Sequence, residues 1–302
     1  MREDIFITIF TPTYNRGYII ENLYKSLLKQ TLKNFEWLII DDGSTDNTKE
    51  IVDWFIKENK IDIKYIYKEN AGKYKAINDG IEKAKGELFF IVDSDDELKS
   101  NSIELVKKYY NQIKRKKDFI GVVGLRGDKE DNIYTGYLNE EKSVNKYYQL
   151  EYLDTTYIKY RNKYNISGDR AEVCITQKLK SFKFPENDEK FMSEGYLWNE
   201  ISKAGYKFRY FNKIIYISEY LNDGLSNNIN DTLKNSPRNT AILKNQIVGI
   251  KEISILKRLK ECVNYYRYGS LYEKNLKKLY SGCNNKILSI LAIPIAKIYS
   301  IK

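Results

Sequence analysis

The sequence contains no histidine. That absence removes the commonest general base and the commonest transition-metal ligand, so Ser-His-Asp triads and histidine-zinc sites are excluded. Any proton transfer falls to a carboxylate, lysine, tyrosine or cysteine. Cysteine is scarce as well: Cys174, Cys262 and Cys283 are odd in number and far apart. They offer neither a disulfide framework nor a zinc spacing, which favours a reducing compartment. Two phosphate-binding loops are also missing. Without Gly-x-Gly-x-x-Gly after the first strand, or the Walker glycine-lysine loop, a dinucleotide oxidoreductase and a P-loop ATPase are disfavoured. Met1-Arg2-Glu3-Asp4 is charged and leads into a short apolar run, so no secretory signal is expected and a cytoplasmic location is.

What is present describes a soluble globular chain of 302 residues, 42% hydrophobic and 30% charged, with ample material for a large core. The net charge of +10 invites an anionic partner such as a nucleic acid, a sugar nucleotide or an acidic membrane surface. Its lysines are spread along the chain. Clusters such as Lys114 to Lys117 and Lys257 to Lys260 read as solvated helix faces.

The first hundred residues alternate strand and helix. Ile5 to Phe10, Phe35 to Ile40, Ile61 to Tyr67 and Phe89 to Val92 are short and apolar, as buried strands are. Between them Ile20, Leu23, Leu27 and Leu28, then Ile51, Val52 and Phe55, then Ile77, Ile81 and Ala84, recur at helical spacing. Such alternation predicts an α/β fold with a parallel, right-handed, doubly wound sheet and helices on both faces.

Acids follow the strands. Asp41-Asp42 ends the second, and Asp93-Ser94-Asp95-Asp96 ends the fourth. In open α/β sheets ligands sit beyond the carboxyl ends of the strands, so these carboxylates should border a crevice. Clustered carboxylates there suit a hard divalent cation shared with substrate phosphates. The competing readings are surface loops and, for Asp46 before Thr48-Lys49, an ordinary helix cap.

Four blocks carry a resemblance: Thr11-Pro12-Thr13-Tyr14-Asn15-Arg16; Asp41-Asp42-Gly43-Ser44-Thr45-Asp46; Asn70-Ala71-Gly72-Lys73 with Ala76 and Asn78; and Asp93-Ser94-Asp95-Asp96. In this order and spacing they resemble glycosyltransferase family 2. The resemblance implies a GT-A fold over 1–228, with 1–100 as nucleotide-binding half, 101–228 as acceptor half and 229–302 as a helical extension. It implies an inverting hexosyl- or N-acetylhexosaminyltransferase using a UDP-sugar and Mn or Mg, with a saccharide or lipid-linked acceptor. By carry-over, the Thr11 backbone and Tyr14 flank the uracil, with Pro12, Arg16 and Ser94 on the same donor wall. One acid of the Asp41-Asp42 pair, preferably Asp42, accepts from the uracil N3. Lys73 lies near the donor, Asp93 near its ribose, and Asp95 holds the metal with Asp96 as substitute ligand.

The second half is less legible. Phe119 to Leu125 and Val173-Cys174-Ile175 read as strands, and Phe208 to Ser218 as a strand pair turning near Asn212-Lys213. Glu194, four residues before Trp198 at a helix start, matches the position of the family's catalytic base, where the family commonly shows Glu-Asp. Asp169 is the alternative base, and helix capping or an ion pair with Arg170 is the competing role. The stretch Glu219 to Ser226 resembles a donor-closing loop. Ile242 to Leu279 reads as two helices. The last apolar stretch, Ile287 to Ala296, is too short to span a bilayer and interrupted by Pro294, which argues against one long helix. With Lys286, Lys297 and Lys302 around it, it reads either as a segment lying in the inner face of the plasma membrane or as one packed in the core or a homodimer contact.

Two rival functions share some of these features. A nucleic-acid-binding protein would use the +10 charge and the 27 tyrosines, but an acidic crevice opposes it. A sugar-phosphate nucleotidyltransferase would share the crevice, yet its glycine-rich, arginine-bearing first loop is absent.

Overall fold

The first strand, β1 (Ile7–Thr13), is buried along its whole length and feeds two cores. Ile7 and Ile9 enter the cluster on one face of the sheet and Phe10 the cluster on the other, as the two-residue period of a strand requires. The computed structural model describes residues 5–133, 150–218 and 229–299. Within them β2 (Phe35–Asp41), β3 (Asp62–Tyr67) and β4 (Leu88–Ile91) join β1 in parallel, in the order β3-β2-β1-β4. Helices α1 (Ile20–Leu28) and α2 (Thr48–Glu58) cover one face and α3 (Lys73–Lys83) the other. The doubly wound first half is as expected.

Beyond it the sheet becomes mixed. The elements run β5 (Glu97–Leu98), α4 (Ser102–Asn111), β6 (Phe119–Gly127), β7 (Tyr152–Thr155), α5 (Tyr157–Asn162), β8 (Arg170–Ile175), α6 (Thr176–Leu179), α7 (Gly195–Lys203) and β9 (Lys207–Ile217). Strand β8 lies antiparallel between β4 and β6, β9 runs parallel to β6, and β7 and β5 are antiparallel to β9. Because β8 is reversed, it begins at the edge of the sheet where β4 ends. Val173 pairs with Phe90, so Glu172 comes level with the end of β4.

Three expectations need correction. Phe208 to Ser218 is not a hairpin: β9 is a single strand whose pairing with β6 jumps from Val123–Tyr210 to Leu125–Ile214. Asn212 and Lys213 lie in that bulge, and Asn212 bonds back to Glu151 and Leu150 rather than closing a turn. The region after 236 holds three helices before residue 283, not two: α9 (Pro237–Gly249), α10 (Ile255–Tyr272) and α11 (Leu276–Gly282), with α8 (Ile229–Asn235) ahead of them. Pro294 does not break the last helix, α12 (Lys286–Ile298). Proline there forfeits one backbone hydrogen bond, but Leu288, Ala292 and Ala296 seat the helix in a core shared with Cys262, Tyr265 and Tyr266 of α10. The boundary placed at 228 and the expected loop at 219–226 lie outside the described residues.

The C-terminal helices are fastened to the sheet half through buried amides. Asn239 of α9 donates to the Phe191 carbonyl and accepts from Asn187. Gln246 joins Asn199 and the Tyr196 carbonyl of α7.

Close packing of α3 on the sheet depends on Gly80, where an added Cβ would overlap the Phe10 ring. Gly80→Ala is expected to lower unfolding stability by about 1–3 kcal/mol, the usual range for overpacking. Urea titration reads this directly, and an unchanged midpoint would contradict the packing described.

Candidate active site

The four blocks of the first half are hydrogen-bonded to one another at the carboxyl edge of the sheet. After β1 the chain turns through Asn15, a left-handed residue at φ 52°. The Asn15 amide donates to Ser44 Oγ at 2.8 Å, and its side-chain oxygen accepts from the Thr45 amide at 2.8 Å. Asp46 accepts from the amides of Gly17 and Thr48. It is therefore a loop clamp at the start of α2, in keeping with its cap reading.

Asp41 and Asp42 are both buried. Asp41 accepts from the Ser44 amide at 2.7 Å and the Tyr65 hydroxyl at 2.5 Å. Asp42 accepts from the amides of Ala71 and Gly72 at 2.9 and 2.7 Å, pinning the turn into α3. Each oxygen of the pair thus already carries one structural hydrogen bond. Thr11 and Pro12 lie within β1, and the Thr11 hydroxyl accepts from Trp37, so its side chain is used inside the protein. Tyr14 is 48% exposed.

The turn pinned by Asp42 delivers Lys73, the first residue of α3. Its ammonium lies 2.7 Å from Asp93 and 2.9 Å from Glu194. Burial opposes a charge here, but the two carboxylates outweigh it and hold the ammonium above its ordinary range. The same pairing, with Arg126 adding to it, holds Asp93 below the usual carboxylate range despite its burial. Glu194 stands at the N-cap of α7 without a side-chain cap bond. Its carboxylate is turned to Lys73 instead.

The neighbouring acids behave oppositely. Burial and the charge of Asp93 raise Asp95, and push Asp96 up to about 7. Among the described residues no cation lies within ion-pair distance of Asp95. Asp96 is 3.8 Å from the Arg126 guanidinium. Ser94, between these acids, is buried. The charge of Arg16 reaches Asp93 and Asp95 from the loop after β1.

A family model described as "Glycosyl transferase family 2" matches residues 8–183, more than half of the chain. The chain belongs to glycosyl transferase family 2. Among curated relatives of this family 2 protein, Glycosyltransferase GlyG of Streptococcus pneumoniae is 41% identical over 36% of this chain and 36% of that protein. The match thus spans about a third of that relative's length. The GalNAc(5)-diNAcBac-PP-undecaprenol beta-1,3-glucosyltransferase of Campylobacter jejuni is 28% identical over 94% of this chain and 88% of its own. Among solved structures, S. aureus TarS 1-349 in complex with UDP-GlcNAc superposes with a TM-score of 0.61 at 20% identity, covering 96% of this chain and 80% of that one. A mannosyltransferase from Pyrobaculum calidifontis in complex with GDP-Man and Mn2+ gives 0.57 at 14%, covering 97% and 79%. At those identities the likeness establishes the GT-A type fold.

Two residues of this family 2 site escaped the sequence reading. Arg126, at the end of β6, stacks 4.0 Å over the Tyr216 ring and donates to the Arg170 carbonyl at 2.8 Å. The Tyr216 hydroxyl in turn accepts from the Asp93 amide at 2.9 Å. A charged residue directly after the apolar run Phe119 to Leu125 was the available signal. Glu172, half-buried on β8, is the other. Burial pushes it up to about 7, against the pull of Arg126 and Arg161 and with the charge of Glu194 adding to the rise. Asp169, the alternative base, is exposed at the strand's start, and it is its carbonyl that Arg170 bonds.

A divalent cation fits this donor set. Lys73 pairs with Asp93, whereas Asp95 and Asp96 are hard oxygen donors that burial and the charge of Asp93 raise above the usual carboxylate range. Mg or Mn commonly uses one or two protein carboxylates and leaves its other positions to waters and phosphates. Among the described residues no group of three or more potential ligands lies together.

Glu172 generates a pH prediction. Its folded pKa, about 7, exceeds its ordinary value of 4.5, so the folded state holds the proton more tightly. Stability from this group is full below the ordinary pKa and lost as pH rises towards 7. Relative to Glu172→Gln, the unmodified protein should lose about 1–3 kcal/mol between pH 5 and 8. Parallel thermal-melt profiles for the two proteins would exclude the shift.

Proposed function

We propose that this chain transfers a hexosyl or N-acetylhexosaminyl group from a UDP-sugar to a hydroxyl of a glycan or lipid-linked saccharide, with inversion, in surface polysaccharide or glycoconjugate synthesis. The observation that carries the reading is the Lys73 bridge, which ties Asp93 on the donor side to Glu194 on the acceptor side through one ammonium. Such a bridge sets the spacing between a group on the donor side and a group on the acceptor side.

In this reading Glu194 is the base. The acceptor oxygen bonds to the anomeric carbon as the bond to the diphosphate oxygen breaks, and the hydroxyl proton passes to the Glu194 carboxylate. Lys73 holds that carboxylate at 2.9 Å, and the N-terminus of α7 lies beside it. Asp93 takes the ribose. Tyr14, the Thr11 backbone, Pro12 and Ser94 line the nucleoside and donor wall, with the second lone pairs of Asp41 or Asp42 available to the uracil imide. Arg16 faces the diphosphate from the loop after β1. Asp95, with Asp96 beside it, would hold the divalent cation, which when bound supplies Lewis-acid stabilisation of the leaving diphosphate.

The Campylobacter jejuni relative is named for glucosyl transfer to an undecaprenol-diphosphate-linked glycan, which supports a lipid-linked acceptor here. Three free cysteines, all buried, suit a reducing compartment. The reading therefore puts the enzyme on the cytoplasmic side of a membrane, in contact with its surface.

Glu194→Gln is expected to lower kcat by about 10²–10⁴-fold, the usual worth of a general base, with donor KM little changed. Turnover of UDP-sugar near the unmodified rate would remove Glu194 from this role. Asp95→Asn should abolish the additional thermal stabilisation that manganese gives in the presence of UDP, while leaving the melting temperature of the free protein similar or higher. A full metal-dependent shift in that variant would move the cation elsewhere.

A further inference from the structure

Helix α12 is apolar on two sides, and only one of them is covered. Leu288, Ser289, Ala292 and Ala296 are buried against α10. Facing away, Ile287, Ile290, Leu291, Ile295 and Ile298 recur at spacings of three, one, four and three. On a helix this traces a single stripe, with Pro294 in line with it. Ile287 and Ile298, at its two ends, are 75% and 77% exposed, and Ile290 is 63% exposed. A helix whose outer face met only water would carry polar residues there.

The charge distribution indicates what covers the stripe. Residues 251–302 contain eleven basic and three acidic residues, which is +8 of the chain's +10. Lysines are scattered throughout the sequence; the excess over acids is concentrated in this last sixth. Lys274, Lys277, Lys278 and Lys297 are exposed around the helical unit that carries the stripe. A second copy of the chain would bring the same positive excess against itself. An anionic bilayer complements both the charge and the apolar face, and apolar stripes with basic surroundings are the usual makings of in-plane membrane helices. The helix is about 20 Å long at 1.5 Å per residue, enough to lie in the interface. No helix among the described residues is long and apolar enough to cross a membrane.

We infer that the outer face of α12 seats this protein on an anionic lipid surface, with Ile287, Ile290, Leu291, Ile295 and Ile298 entering the headgroup boundary and the surrounding lysines meeting lipid phosphates. This deepens the lipid-linked acceptor reading and rests on it for its purpose. Because α9 is bonded to α7, and Glu194 is the N-cap of α7, docking through the C-terminal helices would hold the acceptor side of the site in a fixed relation to the bilayer.

The test is flotation of the full chain with vesicles of phosphatidylcholine alone or mixed with phosphatidylglycerol. The protein should float with the mixed vesicles, more weakly at high salt, and the variant Ile287→Glu/Ile290→Glu/Ile298→Glu should lose about tenfold or more of that binding. A thermal shift with UDP, measured on both proteins, reads the fold and the donor site separately. A retained UDP shift with no flotation of the unmodified protein overturns the docking inference alone, whereas flotation without a UDP shift leaves docking standing and counts against the transferase reading. Equal flotation of variant and unmodified protein would overturn the assignment to α12. So would an unmodified dimer, with no vesicle binding, that the triple variant converts to monomer, since a second copy would then be the occupant.

Discussion

A single ammonium group organises the mouth of this sheet. Lys73 comes from the first turn of α3, Asp93 from the end of β4 and Glu194 from the start of α7, and they meet within 3 Å. A lysine at a helix N-terminus is disfavoured by the helix dipole, and a buried ammonium by desolvation. Both costs are offset only by the two carboxylates, so the position of Lys73 is inseparable from theirs. The neighbouring acids stand in contrast: burial and the charge of Asp93 raise Asp95 and Asp96 above the usual carboxylate range.

The second constraint is the reversal of β8. A wholly parallel sheet would send its later strands towards the mouth by their carboxyl ends alone. By running backwards between β4 and β6, β8 brings its amino end, with Arg170 and Glu172, to the same edge as Asp93. Arg126 at the end of β6 and Tyr216 near the end of β9 complete a polar wall against which the acids rest. The first half is thus an ordinary doubly wound unit, and the second half is a mixed extension that encloses its open side. The C-terminal helices brace this enclosure through α7 and expose an apolar face to whatever lies beyond.

The strands and helices of the first hundred residues were legible because β1, β2 and β4 are buried on both faces and each helix on one, so hydrophobic period and backbone state agree. The second half was less so. The Asn212-Lys213 dipeptide has turn chemistry, yet it occupies a bulge, because β7 supplies partners for the bonds that β6 leaves unmade. Pro294 likewise reads as a stop, but the packing of Leu288, Ala292 and Ala296 keeps the helix whole. In both cases non-local contacts outweigh a local preference of a few kcal/mol at most.

The sequence by itself determined that histidine chemistry is absent, that acids follow strand ends, and that Glu194 opens a helix. All of these depend on residue type and short spacing. Only the tertiary structure decided which carboxylates are neutralised and which are left in need of charge, because that depends on where Lys73 and Arg126 come to rest. It also decided that Glu172 and Arg126 share the site, and that one side of α12 remains uncovered. Pairing across the sheet joins positions dozens of residues apart, and nothing in a linear spacing records the direction in which β8 runs.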